Sequence, residues 1–250
     1  MNIIFGNFGN DTVALMQWSV TQQLTDLTMV SIDTGWAAPQ WAERITQAKQ
    51  WCMAHDVTWV RLTPKAQFVE LMQTQKQFPS RKFQWCANFL KALPFLDWLD
   101  QTDIDPDAEA TILLGRRREH GRSSNALPEM VEENEHFGDR RVWHPLFAHT
   151  QTQRDQLIVE AGFEVLPHRS LECDPCVNSD LNDVLRLDES VIERTTRLEQ
   201  ALGKQLLDTA LYQGESTLAA ALTHYTQQAY QAPEHDIFEM GCGMPFGCGI

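Results

Sequence analysis

The chain has 250 residues, enough for one large domain with a full hydrophobic core. Its 20 basic and 34 acidic residues give a formal charge of −14, which argues against broad nonspecific binding to nucleic acid, because phosphate-neutralising surfaces need clustered Lys and Arg. Six cysteines are too few for a secreted disulfide scaffold, and no basic leader or membrane-length apolar run is found, so we expect a soluble, cytoplasmic protein without a membrane contact.

Strand-like and helical segments alternate along the first half of the chain. Short apolar runs typical of buried strands occupy residues 2–5, 28–32, 57–62 and 111–114. Between them, apolar residues recur with helical spacing over residues 11–24 and 41–52. Strands that alternate with helices of this length predict an α/β fold with a mainly parallel sheet and helices on both faces.

Parallel sheets bind ligands beyond the carboxyl ends of their strands, so the loops after the strands are the expected ligand-binding edge. The first loop, residues 6–12, passes through glycine into Asp11 and Thr12 at a predicted helix start. That arrangement presents backbone N–H groups and the positive end of a helix dipole, which suits a phosphate. A tight glycine turn with Asp11 or Thr12 as a helix cap explains the same residues without a ligand.

Two later loops carry further polar residues. Asp33 follows the second strand and could bind a nucleotide ribose or adenine edge, or cap a turn. After the fourth strand, Arg116, Arg117, Arg118 and Arg122 crowd one loop of an acidic protein. Guanidinium groups bind phosphate or sulfate through paired hydrogen bonds, so the loop predicts an anionic ligand, with a solvated basic loop as the alternative.

The C-terminal third differs in composition. Cys173 and Cys176 have the spacing of two thiolates that share a metal ion or cluster, or of a redox disulfide. From residue 178 to 240 the chain is helical in character, with eleven acidic and four basic residues, and it ends in a glycine-rich tail with Cys242 and Cys248. We therefore predict a domain over residues 1–176 and a helical acidic extension with a Cys/Gly tail over residues 177–250.

Five segments, in order, resemble the phosphoadenosine-phosphosulfate reductase family, part of the adenine-nucleotide α-hydrolase superfamily that includes the PP-loop ATP pyrophosphatases. The segments are Asn7-Phe8-Gly9-Asn10-Asp11-Thr12, Asp33-Thr34-Gly35, Trp85-Cys86 with Lys91 and Pro94, Gly115-Arg116-Arg117-Arg118-Glu119 with Ser123 and Pro128, and His144-Pro145-Leu146. The resemblance implies a Rossmann-like three-layer fold of the adenine-nucleotide α-hydrolase type.

The resemblance also implies which residues bind the nucleotide. They are Asn7, Phe8, Gly9, Asn10, Asp11, Thr12, Asp33, Thr34, Gly35, Gly115, Arg116, Glu119 and Ser123. Asn7 and Asn10 stand where the family usually has Ser and Lys, which weakens the expected phosphate contacts.

Cofactor expectations come from the same resemblance. The position of Cys86 relative to Cys173 and Cys176 is similar to that in reductases that carry a [4Fe-4S] cluster, although Ala87 stands where those enzymes have a second, adjacent cysteine. Three thiolates leave one coordination position open, and zinc is the alternative occupant.

The resemblance implies reduction of phosphoadenosine phosphosulfate or adenosine phosphosulfate. In that reaction the Cys242 thiolate attacks the sulfate sulfur, while Arg117 and Arg118 hold the anion. The tail only partly resembles the family's Glu-Cys-Gly-x-His, because Gly241 and Pro245 replace the Glu and the His. A thioredoxin-like thiol donor and a homo-oligomer are the expected protein partners.

Two other functions stay open at this point. One is a PP-loop ATP pyrophosphatase that cleaves ATP to AMP and pyrophosphate, with Mg²⁺ near Asp11 and Thr12 and a nucleic acid as a substrate for modification. The other is a degenerate family member that binds a nucleotide and regulates a partner without turnover.

Overall fold

The computed structural model of the protein describes residues 1–102, 110–120 and 127–227. In these residues one six-stranded sheet has the strand order β3-β2-β1-β4-β6-β5. The strands are β1 (Asn2–Phe5), β2 (Leu27–Ile32), β3 (Thr58–Leu62), β4 (Thr111–Leu113), β5 (Met130–Asn134) and β6 (Arg140–Trp143). All neighbouring strands are parallel except β5 and β6, which form an antiparallel pair.

Helices connect the parallel strands and continue beyond the sheet. They are α1 (Asn10–Thr21), α2 (Trp41–Ala54), α3 (Phe68–Gln75), α4 (Leu93–Gln101), α5 (Gln151–Glu160), α6 (Leu181–Val184), α7 (Glu189–Leu202) and α8 (Leu218–Gln227). A π-helix over Ala87–Ala92 runs directly into α4. Over the described residues, no helix is both long enough and apolar enough to cross a membrane.

Helices cover both faces of the sheet at its central strands. Because successive side chains of a strand point to opposite faces, each of these strands contributes to two cores. Ile4 of β1 belongs to the core under α1, α2 and α5, whereas Ile3 and Phe5 belong to the core under α4. This three-layer α/β arrangement confirms the predicted fold class. It also explains why the central strands β1, β2 and β4 are mostly apolar and do not alternate between apolar and polar residues.

A third core lies beside the sheet and joins residues 36–90 to the C-terminal helices. Trp36, Phe68 and Trp85 pack in one cluster with Leu206 and Tyr212 of the C-terminal segment. The C-terminal helices are therefore present as predicted, and they share a hydrophobic core with the preceding residues. The boundary at residue 176 remains a prediction.

The four predicted strands are all present, with end points that differ by one residue at most. The antiparallel pair β5 and β6 was not predicted. Met130–Asn134 includes two glutamates and Arg140–Trp143 two arginines, so neither segment has the apolar run that marks a strand covered on both faces. A charged strand at a sheet edge is common, since charge there discourages pairing with other chains.

The order of strands reverses between β1 and β4, which are neighbours on opposite halves of the sheet. Ligands in open α/β sheets bind in the crevice at such a reversal, outside the carboxyl ends of the strands. The loops that follow β1 and β4 meet there.

Candidate functional site

The loop between β1 and α1 holds its shape through contacts within itself. The Asn7 side-chain oxygen accepts a hydrogen bond from the Gly9 backbone N–H at 3.0 Å, and the Asn7 backbone N–H donates to the Thr12 hydroxyl at 3.3 Å. A Cβ atom on Gly6 would lie 2.4 Å from that hydroxyl oxygen, so only glycine fits there. No side chain caps α1 at Gly9, which leaves the positive end of the helix facing the loop.

Phe8 has a φ of 61°, in the left-handed region that non-glycine residues seldom adopt. The ring is fully buried and packs edge-on against Trp59, with ring centroids 6.2 Å apart. Burial of the ring offsets the conformational cost of the left-handed backbone.

Two side chains behind the loop attach it to the rest of the protein. The Asn10 amide pairs with the backbone of Leu166, donating at 2.9 Å and accepting at 3.0 Å. Arg44 donates from Nε to the Phe8 carbonyl at 2.9 Å and from Nη1 to the Glu164 carbonyl at 2.9 Å. Asn10, which replaces the family's usual Lys, therefore fastens the loop.

The loop after β4 packs directly on the first loop. A Cβ atom on Gly115 would lie 2.7 Å from the Asp11 carbonyl oxygen, so this close approach requires glycine. The buried Arg117 donates from Nε to the Asp11 carboxylate at 2.8 Å and from Nη1 to Glu119 at 3.0 Å. Arg154 adds a second guanidinium 3.9 Å from Asp11.

The three consecutive arginines differ in environment. Arg117 is buried against Asp11, whereas Arg118 donates to the Leu127 carbonyl at 3.2 Å and covers the ring of Phe147. Arg116 is half-buried, and its guanidinium makes no hydrogen bond or ion pair with another residue in the described ranges. Burial lowers the pKa of Arg116. Among Arg116, Arg117 and Arg118, Arg116 is thus the one whose guanidinium is not held by a partner in the described ranges.

The Asp33-Thr34-Gly35 turn borders a cavity at the carboxyl end of β2 that is open to solvent. Asp33 accepts a hydrogen bond from the Gly35 N–H at 3.1 Å and pairs with Arg61 at 2.8 Å. The cavity is surrounded by residues of the first loop, this turn, β3 and α2, and by the loop over residues 171–177 that contains Cys173 and Cys176, which we call the cysteine loop. They are Asn7, Phe8, Ser31, Ile32, Asp33, Thr34, Ala37, Trp41, Ile45, Arg61 and Glu172.

A second cavity is lined by the three cysteines that the sequence singled out. Its lining residues are Trp36, Phe68, Pro79, Gln84, Cys86, Ala87, Leu90, Lys91, Cys173, Pro175, Cys176 and Val177. The π-helix accounts for part of this arrangement. Because π-helical hydrogen bonds join residues five apart, Cys86 and Lys91 face the same space.

The two cavities share one wall. Thr34 lines the first cavity, and its hydroxyl donates to the Glu172 carbonyl at 2.9 Å and accepts from the Cys173 thiol, with 3.4 Å between sulfur and oxygen. Lys91 in the cysteine cavity pairs with Glu172 of the first cavity at 2.7 Å, and each side chain is 9% exposed. A buried ion pair and one threonine therefore separate the two spaces.

The predicted metal ligands come together in part. Cys86, Cys173 and Cys176 line one cavity, and their thiols are donors that both an iron-sulfur cluster and zinc accept. In the described part of the chain, however, no three or more His, Cys, Asp or Glu side chains are arranged to hold a metal ion. Cys52 lies apart in α2, where burial raises the pKa of its thiol to about 12 and makes it unreactive.

Two predicted site residues, Ser123 and Cys242, lie outside the described residues, as do Arg122 and Cys248. Several residues of the site were not predicted as site residues. Glu172, Trp36 and Arg61 line the cavities, but a lone glutamate, a tryptophan after a turn and an arginine within a strand carry no pattern that marks them. Lys91 was noted only as part of a motif.

The family model for the phosphoadenosine phosphosulfate reductase domain matches residues 2–170, more than half of the chain. That match ends before Cys173 and the C-terminal helices. A comparison with curated proteins found no significant match.

Several solved structures are similar to this chain. Phosphoadenylyl-sulfate reductase from Candida auris, in a phosphate complex, has 16% identity and a TM-score of 0.46, over 65% of this chain and 73% of that one. The U34-tRNA thiolase NcsA from Methanococcus maripaludis, with its [4Fe-4S] cluster, has 13% identity and a TM-score of 0.46, over 90% and 71%. FMN adenylyltransferase from Candida glabrata has 13% identity and a TM-score of 0.42, over 63% of this chain and 46% of that one.

Proposed function

Because this chain belongs to the phosphoadenosine phosphosulfate reductase domain family, we propose that it is an enzyme that reduces an adenine sulfonucleotide. The observation that carries the proposal is the wall shared by the two cavities. A nucleotide in the first cavity would lie against this wall, with the cysteine cavity on its other side.

The first cavity has the groups that an adenine nucleotide needs. Phe8, Trp41 and Ile45 provide apolar surface for the base, and Asp33 provides a carboxylate for the ribose hydroxyls. The phosphates would lie at the amino end of α1, where the helix dipole and the backbone N–H groups favour anions. This arrangement supports nucleotide binding through the loop at residues 7–12.

The arginine loop supports a sulfonucleotide over ATP. In this structure the Asp11 carboxylate is paired with Arg117 and Arg154, so two guanidinium groups stand where Mg²⁺ chemistry would need an available carboxylate. Arg116 keeps a guanidinium for the phosphate or sulfate. In this proposal Arg117 positions Asp11 and the loop, and Arg116 contacts the anion.

The reaction that we propose has two steps. A cysteine thiolate, which we assign to Cys242, attacks the sulfate sulfur, so that an S–S bond forms and the bond from sulfur to the bridging phosphate oxygen breaks. The nucleotide leaves as its 5′-phosphate with that electron pair. A second thiol, from a thioredoxin-like donor, then attacks the cysteine sulfur, which forms a disulfide and releases sulfite, so two thiols supply the two electrons.

Cys86, Cys173 and Cys176 are the residues that would hold a [4Fe-4S] cluster, which would supply redox capacity, or a zinc ion, which would keep their thiols deprotonated. No step above depends on that group. Lys91, paired with Glu172, places a cation in the wall between the cavities whether or not a metal is bound.

A direct test is to purify the protein without oxygen, measure iron and zinc, and supply adenosine phosphosulfate, phosphoadenosine phosphosulfate and ATP separately with a dithiol. We expect sulfite from one of the sulfonucleotides. Release of AMP and pyrophosphate from ATP, without sulfite, would replace the proposal with the ATP pyrophosphatase reaction. Nucleotide binding without either product would indicate a regulatory protein.

The first prediction concerns Arg116. Because a hydrogen bond to a charged group contributes about 1.5–3 kcal/mol, Arg116→Met should weaken binding of the preferred sulfonucleotide roughly 10- to 100-fold. AMP, which lacks the sulfate, should lose less. Arg197→Met is the matched control, since Arg197 is an exposed arginine paired with Glu193 on the far side of α7. Equal losses for AMP and the sulfonucleotide would remove Arg116 from the sulfate end.

A further inference from the structure

Arg194 of α7 lies outside the residues that the family model matches, yet it reaches the wall between the cavities. Its guanidinium donates from Nη1 to the Ala37 carbonyl at 2.9 Å and from Nη2 to the Trp36 carbonyl at 3.2 Å. Nη2 also donates to the Asp174 carbonyl. The group lies 4.2 Å from the centre of the Trp36 ring, in a cation–π contact.

The three carbonyl groups belong to two different loops. Trp36 and Ala37 follow the Asp33-Thr34-Gly35 turn, and Asp174 lies between Cys173 and Cys176. Trp36 lines the second cavity, which contains the cysteines, whereas Ala37 lines the first cavity. One guanidinium therefore contacts backbone from both cavities.

The same two loops are also joined by other hydrogen bonds, among them the contact from the Cys173 thiol to the Thr34 hydroxyl described above. The Asp174 N–H donates to the Trp36 carbonyl at 2.9 Å, and the Ala38 N–H donates to the Leu171 carbonyl at 2.9 Å. The Trp36 indole donates to the Pro175 carbonyl at 3.1 Å, and Thr34 donates to Glu172. Arg194 adds hydrogen bonds that connect this pair of loops to α7, beside the apolar contacts of Trp36 with the C-terminal segment.

We infer that Arg194 is a positioning residue that fixes the cysteine loop against the residues that follow the Asp33-Thr34-Gly35 turn. It thereby sets how a nucleotide in the first cavity is oriented relative to the thiols. The inference that it serves catalysis depends on the proposed function, while its hold on the cysteine loop does not. An arginine suits this role because its planar fork presents several donors in fixed directions, which a lysine cannot reproduce.

The test uses the full-length protein with Arg194→Met and Arg194→Lys, and Arg197→Met as the control on the same helix. Alkylation of each cysteine by iodoacetamide is followed by peptide mass spectrometry, without ligand. We expect Cys173 and Cys176 to react about fivefold faster or more in Arg194→Met, while Cys86 and the buried Cys52 keep their rates. Arg194→Lys should lie between, and the control should match the wild type.

The second arm adds adenosine phosphosulfate. In the wild type and the control we expect the nucleotide to slow alkylation of Cys173 about fivefold or more, and this protection should be lost in Arg194→Met. Its nucleotide Kd should change less than about threefold, whereas sulfite formation should fall at least tenfold.

The outcomes separate the two proposals. A wild type that binds no adenine nucleotide overturns the proposed function, while the ligand-free rates still decide the role of Arg194 on the cysteine loop. Unchanged rates at Cys173 and Cys176 in both variants overturn the inference. If Cys52 also becomes reactive in Arg194→Met, that variant has unfolded, and Arg194→Lys is then the deciding variant. Wild-type alkylation rates of Cys173 and Cys176 in Arg194→Lys would overturn the inference.

Discussion

The three consecutive arginines after β4 have different surroundings, and these surroundings decide which contacts each side chain makes. Arg117 is 2% exposed and paired with Asp11, Arg118 covers Phe147, and Arg116 keeps its guanidinium open within the described residues. The sequence predicted Arg117 and Arg118 as the catalytic pair. We propose instead that Arg116 contacts the anion and that Arg117 positions Asp11.

A second prediction at the residue scale concerns His144, whose Nδ1 lies 2.9 Å from the Pro128 carbonyl oxygen. Burial, more than the nearby charge of Arg116, lowers its pKa from the ordinary 6.5 to about 4. Because the unfolded chain then binds a proton more readily than the folded one, His144 should cost the protein about 3 kcal/mol of stability as the pH falls from 6.5 to 4.

The measurement is urea unfolding of the wild type and His144→Asn at several pH values through that window. The variant keeps an N–H donor in place but cannot titrate, so its stability should fall less steeply toward acid. His136→Asn, at an exposed histidine, is the control and should follow the wild type. Parallel pH profiles for all three proteins would contradict the prediction.

At the scale of elements, the π-helix over Ala87–Ala92 brings Lys91 to the wall between the cavities. Its pairing with Glu172 joins this helix to the cysteine loop across 81 residues of sequence. Both side chains are nearly buried. Removing one partner of a buried ion pair strongly destabilises the folded protein, because the other charge is left uncompensated.

The third prediction is therefore that Lys91→Met lowers the free energy of unfolding by about 3–5 kcal/mol. The double variant Lys91→Met, Glu172→Gln removes both charges and should cost less than the two single changes added together. Urea unfolding of all four proteins gives this comparison. Additive losses would show that the two side chains do not interact in solution.

At the scale of the whole molecule, the C-terminal helices complete the structure around the cysteines. Leu206, Tyr212 and Leu218 share a core with Trp36 and Trp85, and Arg194 reaches both loops of the wall. Glu199, buried in α7, accepts hydrogen bonds from the Tyr212 hydroxyl and the Leu218 N–H. The helices that follow residue 176 thus form part of the cavity's support.

The fourth prediction is that a fragment of residues 1–176 will not unfold cooperatively. Without Leu206 and Tyr212, the large side chains of Trp36, Phe68 and Trp85 would be exposed to water. Thermal unfolding followed by near-UV circular dichroism, beside the full chain, is the measurement. A cooperative transition in the fragment would support the two separate units that the sequence predicts.

The sequence by itself determined the fold class, because apolar runs and helical periodicity are local patterns that survive in one dimension. It also marked the first loop, the Asp33-Thr34-Gly35 turn, the arginine loop and the cysteines as belonging to one family. The sequence did not predict β5 and β6, because their charged side chains interrupt the apolar run by which the other strands were predicted.

Only the tertiary structure decided what these residues contact. Asn10 pairs with Leu166, Lys91 with Glu172, and Arg194 with carbonyls from both loops. Partners this far apart in sequence are selected by the packing of strands and helices, which no local pattern encodes. The family and the fold could be predicted from local patterns, whereas the shared wall between the two cavities arises only when distant segments fold together.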